Sequence, residues 1–465
     1  MFTRVEKDSL GQKNIPGEVY YGIQTLRAVE NFPISGIKAH PKFVWATVMI
    51  KRAAAEVNFK LDLLEPKIAK AIMQASDEIL SGKFQNQFVV DVFQAGAGTS
   101  HNMNTNEVIA NRAIEILGGS KGDYSLVHPN DHVNMGQSTN DVFPTAMRLA
   151  CLAVVPELLN ALINLQKELF LKAKQFDHIL TSARTHLQDA VPIRLGQEFS
   201  AYAAAISHLQ NFLQSTSEPL KELGIGGSAA GTGLNTHPEY PKKIVKLLSQ
   251  KTGFDLKCSD NLFAAMNSMA PFVEFSGALK AIAVELIRIA NDFRLLSSGP
   301  KTGLAEIKLP AVQPGSSIMP GKVNPVMAEM LNMVAFQVIG NDTAVGLASQ
   351  AGQLQLNVMM PVIIFNLLWS LDILINAINS FVDKCVIGLE ANEKNCHYYA
   401  DKSAGVGTVL NMYLGYEKAA EIVKESISSD KTIKEIIKER GMLSKKELEE
   451  IFALDNLTTA GIPGK

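Results

Sequence analysis

Apolar residues recur at spacings of three and four along most of this chain, and runs that alternate residue by residue are nearly absent. That period predicts helices and few strands. Two short helices fall at 42–60 and 66–82, separated by Pro66. A long one runs from about Asn140 to Phe176, with Pro156 inside it as a kink or a boundary. Further long patterns cover about 197–223, 260–297, 324–348 and 360–393. Five helices of roughly 25–37 residues, at about 1.5 Å per residue, make a bundle ~40–55 Å long. The expected fold is therefore mainly α. Helices this apolar need covering on several sides, which predicts association of copies through the bundle. Composition shifts near 140 and 395 divide the chain into an N-terminal helical domain (1–139), a central long-helix bundle (140–395) and a small C-terminal domain (396–465).

Composition changes this picture little. The chain has 465 residues, 47% apolar and 19% charged, with a net charge of −2 spread along its length. Neither a basic stripe nor a Lys/Arg run is present, so neither a nucleic acid nor an acidic membrane is an expected partner. Cys151, Cys258, Cys385 and Cys396 are too scattered for a disulfide framework or a zinc site, and the charged opening lacks an apolar signal core. A cytoplasmic location is the expectation. The apolar stretch 361–382 has the length of a membrane span. It carries Asn366, Ser370, Asp372, Asn376 and Asn379, however, and reads better as a buried bundle helix.

Glycine-rich and histidine-bearing segments invite three readings that fail. PGSSIMPGKVNP (314–325) has five residues between Gly315 and Gly321 and Val323 after Lys322, which is wrong for a phosphate loop. GIGGSAAGTGLN (224–235) has no strand before it and no βαβ pattern around it, so a dinucleotide site is rejected. HPNDH (128–132) spaces two histidines four apart, but Pro129 argues against a regular helix and no third ligand is near; no metal and no cofactor is expected. What remains is a set of polar segments interrupting the helical text: 94–107, 132–145, 182–192 and the 314–325 loop. Each alone would pass for a connector. Together Thr99, Ser138, Thr139, Asn140, Thr185, His186, Lys322 and Asn324 form a stock of donors suited to carboxylates, and Asn140 opens a long helix whose N–H groups favour an anion.

These motifs resemble those of the aspartase/fumarase superfamily. GSSIMPGKVNP is similar to its signature, and GTS, QSTND, RTHLQDAVP, GTGLN, SSGP and LQLNV extend the likeness over almost the whole chain. Within the superfamily the motifs are most similar to those of aspartate ammonia-lyases, through Tyr20 and Tyr21, AGTS, Thr139 and GQLQLNVM. HPNDHVN and NDVFPTAM lean toward class II fumarases, the alternative; a non-catalytic relative, as among lens crystallins, is a third. Met360, Gly136, Met412, Ala95 and Ala183 depart from the aspartase pattern, none at a catalytic position.

The resemblance implies three mainly helical domains and a homotetramer with a twenty-helix core, each active site shared between three subunits. The reaction implied is the reversible loss of ammonia from L-aspartate to give fumarate. Its hard step is removing the C3 proton beside a carboxylate, which leaves a dianionic enediolate in need of donors. The resemblance makes Ser316 the base, an oxyanion held by loop N–H groups and cationic charge, with Gly315 and Gly321 as hinges of a closing loop. Thr99, Ser138, Thr139 and Ser317 would hold the carboxylate next to C3; Thr185, Lys322 and Asn324 the other. Asn140 and His186 would contact the leaving amine, Glu329 would orient His186, and His128, Asn130 and Asp131 would form a secondary dicarboxylate site.

Overall fold

Proline opens helices where its missing N–H costs nothing, and the chain uses it so twice near the start. In the computed structural model, which describes residues 3–429 and 431–461, a hairpin of β1 (Thr3–Asp8) and β2 (Gly11–Pro16) leads into α1 (Ile23–Asn31), α2 (Pro41–Lys60) and α3 (Pro66–Leu80). The His40 ring caps α2 by accepting the Lys42 N–H at 3.1 Å. Next come α4 (Thr99–Ile116) and the 37-residue α5 (Thr139–Gln175). Pro144 and Pro156 both sit inside α5 without ending it. A second hairpin, β3 (Leu180–Thr185) and β4 (Gln188–Arg194), precedes α6 (Leu195–Ser217), α7 (Tyr240–Thr252) and α8 (Leu262–Asn267). The long helices α9 (Ala270–Leu296), α10 (Val326–Gln350) and α11 (Met360–Phe381) follow, then short helices from Glu393 to Thr458.

The mainly α expectation holds, and the five long helices lie within the stretches the period marked, though 260–297 is broken at residues 268 and 269 and α11 ends twelve residues before 393. Two expectations need correcting. Residues 129–133 do turn helically, as a π turn with Pro129 in its first position, where a missing N–H is harmless. A two-residue strand, Glu222–Leu223, does precede the glycine-rich segment and pairs in parallel with Lys257–Cys258. The glycine segment nevertheless directs the Gly226 and Ser228 N–H groups at a protein carboxylate and those of Gly227, Gly231 and Gly233 at its own carbonyls.

The chain forms two compact units. One comprises 1–159, 211–283 and 336–375; the other 160–210, 284–335 and 376–465. In the first, α2, α3 and α4 share an apolar core that includes Val48, Ile72, Ile79, Val108 and Ile114. Buried polar side chains on its long helices are paired: Asn341 donates to Ser370 Oγ at 2.9 Å, and Ser276 to Asp342 at 2.8 Å. In the second, Phe176, Phe199, Phe293 and Phe381 pack in succession, edge-to-face or tilted, with ring centres 5.3–5.6 Å apart. All four are buried, and each contributes roughly 1.5–3 kcal/mol by leaving water. A separate small core around Leu410, Ile422, Ile433, Ile436 and Ile437 holds the C-terminal helices together. Two helical stretches, 139–175 and 360–386, are long and apolar enough to cross a membrane, but 67% and 61% of their most apolar windows are buried inside the protein.

Candidate active site

Ser138, immediately before α5, accepts the Asn140 N–H at 3.2 Å, while Asp141 reaches back to the Ser138 N–H at 2.9 Å. Ser138 thus caps the helix start, and Asp141 returns a bond to the cap residue's own N–H. The other oxygen of Asp141 accepts the N–H groups of Gly226 and Ser228 at 2.9 and 3.0 Å, and Asn140 Nδ2 donates to the Ala229 carbonyl at 2.8 Å. The glycine-rich segment is thus folded over the start of α5. Asp141 is wholly buried; burial pushes its carboxyl up to about 6, against the pull of three N–H donors and Lys51. Thr139 accepts from Asn102 Nδ2, on the second turn of α4, at 3.1 Å. Thr99, exposed at the first position of α4, follows Ala97 and Gly98, both left-handed at φ 59° and 80°. A β-carbon on Gly98 would lie 1.9 Å from the Phe143 ring, so the segment must be glycine there. The first unit therefore brings Thr99, Ser138, Thr139 and Asn140 onto two adjoining helix starts, whose dipoles favour an anion.

The second unit carries Thr185, His186, the 314–325 loop and Glu329. Thr185 ends β3, and His186 and Leu187 form the two-residue turn to β4 with φ 58° at both positions. A turn of this type wants Asn-Gly; two side-chain-bearing residues here store roughly 1–3 kcal/mol each. The hairpin is held from below. Arg184 donates to Glu306 at 2.8 Å, Thr181 donates to the other Glu306 oxygen at 2.6 Å, and Arg184 lies 5.1 Å from the Tyr399 ring centre. Glu306 is 1% exposed. Thr185 and His186 project into solvent above this clamp.

Residues 314–325 close on themselves. The Gly315 N–H donates to the Lys322 carbonyl at 2.8 Å, and Asn324 Nδ2 donates to the Gly315 carbonyl at 2.6 Å. Inside this ring Ser316 Oγ accepts the N–H groups of Ile318 at 3.2 Å and Met319 at 2.9 Å. Ser317, Lys322 and Gly321 are exposed, Gly321 at φ 78°. Gly315 is needed for space: a β-carbon there would sit 2.5 Å from the Lys322 oxygen and 2.6 Å from the Asn324 nitrogen. Glu329 lies in the first turn of α10, and no hydrogen bond joins it to His186 within the chain.

His128 caps the π turn, its Nδ1 accepting from the N–H groups of Asn130 and Asp131, each at 3.2 Å. His132 Nδ1 accepts the His128 N–H at 2.8 Å. His128 and Asn130 line a cleft of about 510 Å³ together with Lys7, Arg27 and Ser100. Among the described residues no group of three or more His, Cys, Asp or Glu is placed to hold a metal.

A family model described as "Lyase" matches residues 11–340, and one described as "Fumarase C C-terminus" matches 407–459. The chain belongs to the lyase family. This lyase is 51% identical to the aspartate ammonia-lyase of Bacillus subtilis (strain 168), over 99% of this chain and 97% of the other. It is 48% identical to that of Helicobacter pylori (strain ATCC 700392 / 26695), over 98% and 97%, and 47% identical to that of Escherichia coli (strain K12), over 98% and 96%. Among solved structures, the fumarate lyase:delta crystallin from Brucella melitensis bound to cobalt superposes with a TM-score of 0.95 at 49% identity, covering 98% of this lyase and 99% of that chain. The class II fumarase of Schistosoma mansoni gives 0.91 at 38%, covering 97% and 98%.

Sequence reasoning missed Lys51, Asn102, Asn134, Asp141, Arg184 and Glu306, which hold the donor-bearing segments in place. Asp141 had a signal, since S-x-x-D before an apolar run is a capping pattern. Lys51 and Glu306 had none: no motif surrounds either, and their partners lie far away in the sequence.

Proposed function

We propose that this lyase converts L-aspartate reversibly to fumarate and ammonia, with Ser316 taking the C3 proton. The observation that carries the reading is the likeness along the whole chain: 47–51% identity to aspartate ammonia-lyases from three bacteria, against 38% to a class II fumarase. The motifs supply hydroxyl, amide and ammonium donors of the kind the chemistry requires.

A serine oxygen works as a base only as an alkoxide, and two N–H groups aimed at Ser316 Oγ favour that charge. Lys322, in the same loop, adds a positive charge. Removal of the proton sends two electrons into the adjacent carboxylate; Thr99, Ser138, Thr139 and Ser317 receive that charge, helped by the starts of α4 and α5. Thr185, Lys322 and Asn324 hold the second carboxylate, and Asn140 with His186 surrounds the departing amine. Ammonium leaves as neutral ammonia without a strong general acid. Gly315 and Gly321 let the 314–325 loop move as a lid. Glu329 orients His186 from another copy in a homotetramer with a twenty-helix core, each active site drawing on three subunits, in the cytoplasm. The three-domain division at 139/140 and 395/396 belongs to the same reading, as does a secondary dicarboxylate site at His128, Asn130 and Asp131.

The test follows fumarate in the ultraviolet, with aspartate and malate supplied separately. Fumarate from aspartate alone is expected. Fumarate from malate alone assigns a fumarase, and none from either assigns a non-catalytic relative.

A further inference from the structure

Behind the start of α5 lies a buried polar cluster in which a hydrogen-bond direction can be traced. Asn134 Nδ2 donates to the Gln137 carbonyl at 3.0 Å. A backbone carbonyl accepts only, so the amide of Asn134 has one possible orientation. Its oxygen then faces three donors: Lys51 Nζ at 2.8 Å and the Nδ2 atoms of Asn102 and Asn106, both at 3.2 Å. That fixes Asn102 in turn. One hydrogen of its Nδ2 is used on Asn134, and the other reaches Thr139 Oγ1 at 3.1 Å. The oxygens of Asn102 and Asn106 stay buried without a hydrogen-bond partner, a costly arrangement for groups packed only for stability. Lys51, Asn102 and Asn106 are each 2% exposed or less, and Thr139 is 9% exposed.

We propose that Asn102, with its own orientation set by Asn134, is a positioning residue that makes Thr139 a hydrogen-bond donor toward the substrate carboxylate. A threonine hydroxyl has one proton. Occupied from behind by an N–H, the Thr139 oxygen has no inward acceptor to donate to, so its proton turns outward. This rests on the reading that Thr139 holds the carboxylate beside C3. The arrangement selects an anion: an incoming acceptor meets a proton already aimed at it, and no rotor entropy is lost on binding. Lys51 completes the cluster as a buried donor; burial pulls its ammonium down to about 7, so its part here is the hydrogen bond that holds Asn134.

The experiment is a double-mutant cycle on the full-length protein, with kcat and KM for aspartate read for Asn102→Asp, Thr139→Val and the pair. An aspartate at 102 presents oxygen in both orientations and draws the Thr139 proton inward. Thr139→Val should lower kcat/KM by about 10²-fold, the typical loss for one donor at a developing oxyanion. Asn102→Asp should lower it by at least ~10-fold, and by less than ~2-fold further when valine already stands at 139, as expected of groups acting through one another. Losses that multiply in the pair would overturn the proposal, because Asn102 would then not act through Thr139. An unaffected Thr139→Val enzyme would instead remove Thr139 from the carboxylate and overturn the reading beneath it. Should Asn102→Asp not fold, Asn102→Leu deletes the donor at nearly the same volume, and the same multiplication or its absence decides.

Discussion

Ser316 Oγ accepts the backbone N–H of Met319 at 2.9 Å, three residues further along the same loop. With the Ile318 N–H at 3.2 Å, two backbone donors are aimed at the oxygen proposed here as the base, an arrangement that favours negative charge on it. Ser316→Ala should therefore lower kcat by at least ~10²-fold, the usual cost of a missing proton-transfer group, while the thermal midpoint barely moves. A turnover number near normal would remove Ser316 from its role. Lys322→Met should cripple turnover in the same assay; a fall in thermal stability alone would make Lys322 structural.

The ring closed by Gly315 and Lys322 leaves no room for a methyl group. Gly315→Ala places a carbon 2.5 Å from a backbone oxygen that cannot step aside, so the loop must open. Turnover should fall by ~10-fold or more through loss of oriented donors, with little change in unfolding, since the loop is exposed. Gly321→Ala meets nothing within 4 Å and carries only the strain of φ 78°. It should cost about 1 kcal/mol and lower turnover less than Gly315→Ala does, through the hinge alone. Equal damage from both variants, measured by kcat and thermal midpoint, would mean that the ring does not matter.

Glu306 holds the hairpin that bears Thr185 and His186. Glu306→Gln keeps the shape but replaces a charge-assisted pair with Arg184 by a neutral one. A loss of roughly 1.5–3 kcal/mol at most is expected in stability, with KM for aspartate raised as the turn loosens. Unchanged KM in a folded Glu306→Gln protein would separate the clamp from the site.

His101 is wholly buried, stacked 4.7 Å from Phe43, with its Nε2 3.0 Å from Thr47 Oγ1. Thr47 donates its own proton to the Phe43 carbonyl, so Nε2–H must be the donor in that pair. Burial, with Lys51 nearby, holds the ring neutral down to about 3. The unfolded chain, at about 6.5, takes up a proton that the folded chain refuses, so stability is lost as pH falls from about 6.5 toward 3, by about 1.4 kcal/mol per unit. His101→Phe keeps the stack and removes the titration. Its denaturation midpoint should fall less steeply between pH 6.5 and 5 than that of the parent. Parallel slopes would show that other groups govern acid lability.

The long helices were legible because their buried faces are apolar and periodic: α5 and α10 were placed within a few residues, whereas the patterns for α9 and α11 overran the start of one and the end of the other by ten or more. α4 was not. Its sequence TSHNMNTNEVIANRAIEI reads as a polar connector, yet Asn102, Asn104, Thr105, Asn106, Glu107 and Asn111 are all buried in it. A helix buried on every side with polar contents defeats a reading based on hydrophobic period. Glu107 shows why it is tolerated: it accepts the N–H groups of Gly22, Gln24 and Thr25 and the Thr25 hydroxyl, so the start of α1 supplies its partners. The donor residues were legible by motif. The groups that aim them were not, because orientation in a buried polar cluster is set by neighbours far apart in sequence.

Each compact unit draws on three separated stretches of chain, and the divisions fall inside α5, α6, α9, α10 and α11. A chimera with a related enzyme made at a single crossover would thus mix parental surfaces within at least one unit. Recombination that keeps each unit from one parent needs five junctions, all in mid-helix, and evolution by swapping whole modules is closed to this architecture.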